Sequence, residues 1–112
     1  LRQKPICRIS AYDVFSAYNE GDPIAVSVLQ KAVEMWGMGA ANLVSLLNPQ
    51  KVIWGGGVFG PAGIFIDDIY KEACKWAQPI SIRQAEFVPS QLSGNAGLIG
   101  AAFLAIKNHL YE

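Results

Sequence analysis

Charge, histidine and paired cysteine are all scarce in this chain, and each shortage closes off a class of function. Charged residues make up only 16% of the 112 residues, nine basic and nine acidic, for a formal net charge of zero. No basic run appears, so this segment is not expected to bind nucleic acid. Cys7 and Cys74 stand alone without Cys-x-x-Cys spacing and read as buried thiols of a cytoplasmic protein. His109 is the single histidine. It lies near a predicted helix C-terminus, where the dipole favours a surface cation over a ligand.

Long apolar runs are missing too. Every run is broken by Gly, Asn or a charge before the roughly 18 residues a membrane span needs. The opening Leu1-Arg2-Gln3-Lys4-Pro5 has no apolar h-region and no initiator Met, so the expectation is a fragment or a processed product of a longer chain. What the chain has in quantity is hydrophobic residues, 52% of the total. In a single domain this small, that suggests apolar surface meeting a partner, a second copy of the chain or a missing part of the polypeptide.

The stretch Lys51-Val52-Ile53-Trp54-Gly55-Gly56-Gly57-Val58 organises the rest. An apolar run of strand length ends on three glycines, whose bare backbone lets a ligand approach N–H groups closely. Before it, Leu1 to Ile9 reads as a connector, extended before Pro5. Ser10 and Asp13 form a Ser-x-x-acid start signal for a helix over Ala11 to Asn19, with Val14, Phe15 and Tyr18 inward and Gly21 as its stop. Asp22-Pro23 opens a second helix running to Leu47, stopped by Asn48-Pro49. Its inward residues are expected to be Ala25, Val28, Leu29, Ala32, Val33, Trp36, Leu43, Val44 and Leu47. Gly37 and Gly39, inside that helix, read either as a close helix contact or as a kink beside a pocket.

Val52 to Trp54 is expected to be a strand buried on both faces. Gly60-Pro61 restarts a helix whose inward side is Ile66, Ile69, Tyr70, Ala73 and Ala77, with Asp67, Asp68, Lys71, Glu72 and Lys75 in water and Pro79 as its end. No metal site is read in that charged cluster. Ile80 to Val88 is rich in β-formers and reads as a second strand. After a loop, Asn95 or Ser93 caps a last helix through about Asn108, packing by Leu98, Ile99, Ala102, Phe103 and Ile106. Gly94, Gly97 and Gly100 leave a bare stripe at its start. The predicted order is helix, helix, strand, helix, strand, helix, an α/β unit whose strands are parallel because a helix crosses between them.

The glycine turn admits three readings. Gly55, Gly57 and Gly60 satisfy Gly-x-Gly-x-x-Gly, but a dinucleotide fold opens its helix within the glycines, whereas Pro61 delays it; Glu86 also comes late for the ribose-binding acid. The turn could be purely structural, needing a positive φ. It could equally be a nucleotide seat at the carboxyl edge of a parallel sheet.

Taken together, Glu20-Gly21-Asp22-Pro23, Gly37-Met38-Gly39-Ala40-Ala41-Asn42-Leu43-Val44, Leu47-Asn48-Pro49, Val52 to Val58 and Gly94-Asn95-Ala96-Gly97-Leu98-Ile99-Gly100-Ala101-Ala102 resemble the ROK family of bacterial sugar kinases, related repressors and uncharacterised open reading frames. The resemblance covers about residues 12 to 108. It implies the C-terminal part of an actin-like, hexokinase-like (ribonuclease H-like) ATPase lobe, with Gly55, Gly56 and Gly57 belonging to the adenosine side of an ATP site. The last helix is then the family's closing helix. The resemblance further implies ATP and Mg²⁺ as requirements of the full-length protein, with sugar bound by a missing N-terminal part. The family's Asp-x-Gly-Gly-Thr phosphate loop, its catalytic Asp beside an Asn, its Glu-x-Gly-His sugar motif and its Cys-rich zinc loop are absent from these residues. No general base with a partner is left, so these residues alone are expected to be inactive, with no catalytic residue among them. Three roles stay open: half of a kinase's ATP cleft, the sugar-sensing domain of a repressor, or an assembly role in which the long helix makes a homo-oligomer.

Overall fold

The computed structural model describes residues 5–109. Among the described residues five α-helices and two strands are formed: α1 (Ala11–Asn19), α2 (Pro23–Leu47), β1 (Lys51–Trp54), α3 (Ile66–Trp76), α4 (Pro79–Gln84), β2 (Glu86–Pro89) and α5 (Ala96–His109). The first four residues of the connector expected over Leu1 to Ile9, the cap expected of the Ser93 side chain and the surface role of the His109 side chain lie outside what is described; the rest of the connector carries a 3-10 turn, Ile6–Arg8. No helix among the described residues is long and apolar enough to cross a membrane.

Local chemistry sets the first two helices where the sequence predicts them. Ser10 accepts from the Asp13 N–H while the Asp13 carboxylate accepts from the Ser10 N–H at 2.9 Å, a reciprocal capping box. Asp22 Oδ1 accepts from the N–H groups of Ile24 (2.8 Å) and Ala25 (3.2 Å), and Pro23 occupies the first helical position. Asn48 closes α2 in the left-handed region, with φ of 45°.

α2 and α3 lie along each other and cover one face of the sheet. The strands are parallel as predicted, with Lys51 opposite Glu86, Val52 opposite Phe87, Ile53 opposite Val88 and Trp54 opposite Pro89. One buried cluster gathers Ala40, Ala41 and Val44 of α2 with Ala73, Ala77, Ile82 and Ala85. A second joins Phe15, Leu29, Ala62, Phe65 and Ile69. Trp54 and Phe87 pack against both, so the two cores meet at the sheet.

Several expectations are corrected. β1 is covered on one face only: Val52 and Trp54 are half-buried while Ile53 is 66% exposed, because helices lie on just one side of the two strands. The strand expected from Ile80 forms only at Glu86–Pro89. Pro79 and the Gln78 side chain, whose Oε1 accepts from Ile80 N (2.8 Å) and Ser81 N (2.7 Å), start a helix there that outweighs the β-propensity of the isoleucines. Val28, Leu43 and Leu47, expected inward on α2, are exposed; Leu43 and Leu47 lie about five turns beyond the buried Ala25 and Leu29 on the same side, so the cover on that side stops short of the helix's C-terminal end. The apolar side of α5 is likewise uncovered, with Leu98, Ile99, Phe103 and Ile106 all exposed. Cys7 and Cys74 are exposed free thiols rather than buried ones. Ile66, Ile69, Tyr70, Ala73 and Ala77 do face inward on α3, but Glu72 does not stand in water as expected: its side chain is 13% exposed.

Candidate functional site at the glycine turn

The glycine turn leaves the sheet at its carboxyl edge. Ser90, the residue after β2, donates its N–H to the Trp54 carbonyl at 2.7 Å, which ties the ends of the two strands together. Gly55 sits directly against Ser90: a Cβ built at residue 55 would stand 3.1 Å from the Ser90 Cβ. Gly56 has φ of 90° and ψ of 174°, a combination essentially confined to glycine. Gly57 opens a short 3-10 turn, Gly57–Phe59, in which the Phe59 N–H donates to the Gly56 carbonyl at 3.1 Å. Cβ positions at Gly56 and Gly57 would meet no described atom within 4 Å, so the backbone there faces open space.

The delay at Pro61 is real. A 3-10 helix, Pro61–Phe65, follows the glycines, and the α-helix begins only at Ile66. The positive end of α3 therefore does not meet the glycines, which weighs against a dinucleotide fingerprint.

A row of rings anchors the turn. Phe59 lies 5.0 Å from Trp36 and 4.8 Å from Trp54; Trp54 lies 5.8 Å from Phe87, and Phe87 lies 5.2 Å from Tyr70. Such contacts each add about 0.5–1.5 kcal/mol beyond burial. They hold both flanks of the three glycines, Trp54 before and Phe59 after. The Trp54 Nε1–H is buried without a hydrogen-bond acceptor among the described residues, a cost of about 1–3 kcal/mol. Sequence reading missed Phe59 and Ser90 as supports of the turn. The only sequence signal was the placing of Phe59 between Gly57 and Pro61.

A cavity of about 420 Å³ lies elsewhere, between α1, α2 and α3, floored by Tyr18, Val33 and Phe65 and rimmed by Glu34, Asp68 and Glu72. Each rim carboxylate already has a lysine: Lys31 for Glu34, Lys71 for Asp68 and Lys75 for Glu72. Hydrogen bonds from Lys75 and from Trp76 Nε1 (3.1 Å) hold the Glu72 carboxyl below its ordinary range. The hydrogen bond to Glu34 raises the Lys31 ammonium above its ordinary value. Burial, followed by the neighbouring Cys74, raises the Tyr70 hydroxyl, which donates to the Ile82 carbonyl at 3.3 Å. Among the described residues no group of three or more His, Cys, Asp or Glu could hold a metal ion.

The architecture is a mostly helical α/β unit with a two-stranded parallel sheet and a glycine turn on its carboxyl edge. The chain belongs to the ROK family, whose model matches residues 2–108. It is 35% identical over 96 residues to a glucokinase of Halalkalibacterium halodurans, a match covering 86% of this chain and 29% of the relative. Among solved structures, a ROK family transcriptional regulator, a homologue of the Escherichia coli MLC protein, is 28% identical with a TM-score of 0.64, covering 73% of this chain and 21% of that one. A Cytophaga hutchinsonii protein matches the fold with a TM-score of 0.73 at 23% identity, over 90% of this chain and 34% of its own. The chain thus spans about three-tenths of the length of the glucokinases it matches.

Proposed function

We propose that residues 1–112 are the adenosine-side, C-terminal part of the nucleotide-binding lobe in an ATP-dependent ROK sugar kinase. The complete protein transfers the γ-phosphoryl group of ATP to a hexose hydroxyl in the cytoplasm. The observation that carries this reading is the open backbone at Gly56 and Gly57 on the carboxyl edge of the parallel sheet, where α/β folds seat their ligands. The similarity to a glucokinase supplies the substrate class.

The role of this segment is positioning. Gly55 to Gly57 present backbone to the nucleotide without side-chain obstruction, and the Trp54–Phe59 flanks keep that backbone in place. Phosphoryl transfer depends mostly on positioning and charge stabilisation. Mg²⁺ would neutralise the phosphate oxygens. Its ligands, the general base and the sugar contacts are assigned, with the family resemblance, to polypeptide outside this segment, and residues 1–112 alone are expected not to phosphorylate sugar. Self-association through the exposed outer side of α2, which carries Ile24, Val28, Met35 and Leu46, accompanies this reading.

A second reading is the sugar-sensing domain of a repressor, favoured by the similarity to the MLC-type regulator. A coupled phosphorylation assay on the full-length protein, with ATP and a panel of hexoses, separates the two. Formation of a sugar phosphate supports the kinase. Inactivity with every sugar, together with sugar-dependent operator binding, supports the repressor instead.

A further inference from the structure

The glycine turn is held from two sides by different means. On the helix side, Trp54 and Phe59 fix its flanks through the row of rings. On the other side the hold is one residue, Ser90. Gly55 lies one position beyond the last paired residues, Trp54 and Pro89, and so stands level with Ser90. Its chain neighbours aside, a Cβ built at residue 55 would meet only Ser90 atoms within 4 Å, the Cβ at 3.1 Å and the Oγ at 3.6 Å. Gly56 and Gly57 meet no described atom at all.

Ser90 is itself fixed. Its N–H donates to the Trp54 carbonyl at 2.7 Å. Its Oγ accepts from the Leu92 N–H at 3.3 Å, a serine turn that holds the side chain in one rotamer. Further on, the turn Ser93–Asn95 lies against Gly57–Phe59. The chain leaving β2 therefore backs the glycine turn from Gly55 to Phe59, and Ser90 is the point at which the two are locked together.

We infer that Ser90 is a positioning residue for the nucleotide seat. The junction of residues 55 and 90 has room for one Cβ, supplied by Ser90, and that contact sets where Gly56 and Gly57 present their backbone. Two Cβ atoms there overpack the junction and displace the turn. With none, the glycines lose their only hold on that side and their own freedom takes over. Ser90 touches no reacting atom and acts through Gly55 alone. The inference rests on reading the turn as a nucleotide seat, and every contact it uses is made inside residues 1–112.

The test moves the Cβ from one position to the other in the full-length protein. Gly55→Ala puts two at the junction, Ser90→Gly leaves none, and the two substitutions together exchange it. Each single variant is expected to shift the Gly56 and Gly57 amide resonances of nitrogen-15-labelled protein. Each should also raise the KM for ATP at least about fivefold through misplacement of the seat, with the loss falling on ATP and not on the KM for the hexose. The exchange variant is expected to recover the parental resonances and most of the affinity for ATP. A merely structural role would lower the active fraction, and with it kcat, and leave the KM for ATP alone. Unmoved Gly56 and Gly57 resonances in both single variants, an unaltered KM for ATP, or an exchange variant as impaired as the single ones overturns the inference. Ser90→Gly adds no atom to the junction, so it carries the test should Gly55→Ala fail to fold. A parent protein that phosphorylates no hexose defeats the kinase reading, and the amide resonances then still decide whether Ser90 sets the turn.

Discussion

Gly37 of α2 lies so close to Glu72 of α3 that a Cβ built at residue 37 would stand 2.6 Å from the Glu72 Cβ and 3.1 Å from the Ala73 backbone nitrogen. The glycine is a condition of the α2–α3 contact, because neither neighbour is the loose end of a side chain. Gly39, two residues on, meets nothing within 4 Å. Gly37→Ala should therefore destabilise by about 1–3 kcal/mol through overpacking, against a helix-propensity gain of at most about 1 kcal/mol. Gly39→Ala keeps only the gain and should be neutral to stabilising. Urea midpoints of the two variants decide; equal gains, or equal losses, would contradict the contact.

Two hydrogen bonds on α3 set the titration of Glu72. Lys75 and Trp76 both donate to its carboxylate, and this outweighs the opposing effect of burial, so the folded carboxyl ionises more readily than the unfolded one. A depressed folded pKa gives stability that is present above the unfolded value, about 4.3, and is lost as pH falls through the folded value. Glu72→Gln should flatten the acid limb of stability below about pH 4.3 while leaving the slope near neutrality unchanged. Denaturation midpoints across that window check it. An unchanged acid slope in the variant counts against the assignment.

Cys7 and Cys74 are both exposed. Native protein should react with a thiol reagent at both Cys7 and Cys74 without denaturant, located by peptide mass spectrometry, and a Cys74→Ser variant should lose one equivalent. Reaction only after unfolding would return both to the buried state expected from composition. Modification at Cys74 should also disturb Tyr70, whose hydroxyl it influences, and the tyrosine absorbance titration reports that.

These cases mark what a single sequence discloses. α1 and α2 were legible because their ends are decided within a few residues, by Ser10 with Asp13 and by Asp22 with Pro23. The parallel pairing followed from chain geometry, since a helix crosses between the strands. The glycine turn was legible as an open backbone. What escaped depended on distant partners. The burial of Glu72 is set by a glycine thirty-five positions earlier, and the exposure of Ile53 by the lack of a second covering layer. The helix at Pro79–Gln84 was obscured for another reason: the cap came from Gln78, a residue type outside the usual capping set. Ser90 entered the site through its contact with Gly55, which no local pattern announces.

The glycine turn supplies the sharpest functional prediction, because its three members differ in what a side chain would do to the fold. Gly55→Ala drives a Cβ against Ser90 and should cost about 1–3 kcal/mol as overpacking. Gly56→Ala forces a side chain onto a φ of 90° and should cost about 1–3 kcal/mol as backbone strain. Gly57→Ala meets no neighbour and no positive φ, so its stability should stay within about 0.5 kcal/mol of the parent. A methyl at residue 57 nevertheless enters the space assigned to the nucleotide. In the full-length protein, Gly57→Ala should weaken ATP by at least about tenfold, roughly 1.4 kcal/mol, with the melting temperature unchanged. Gly57→Val should weaken it further. Residues 1–112 alone should bind ATP weakly or not at all by calorimetry, because the proposed site takes its facing wall from outside. Undiminished ATP affinity in both residue 57 variants, with the fold intact, would leave the three glycines a purely structural turn.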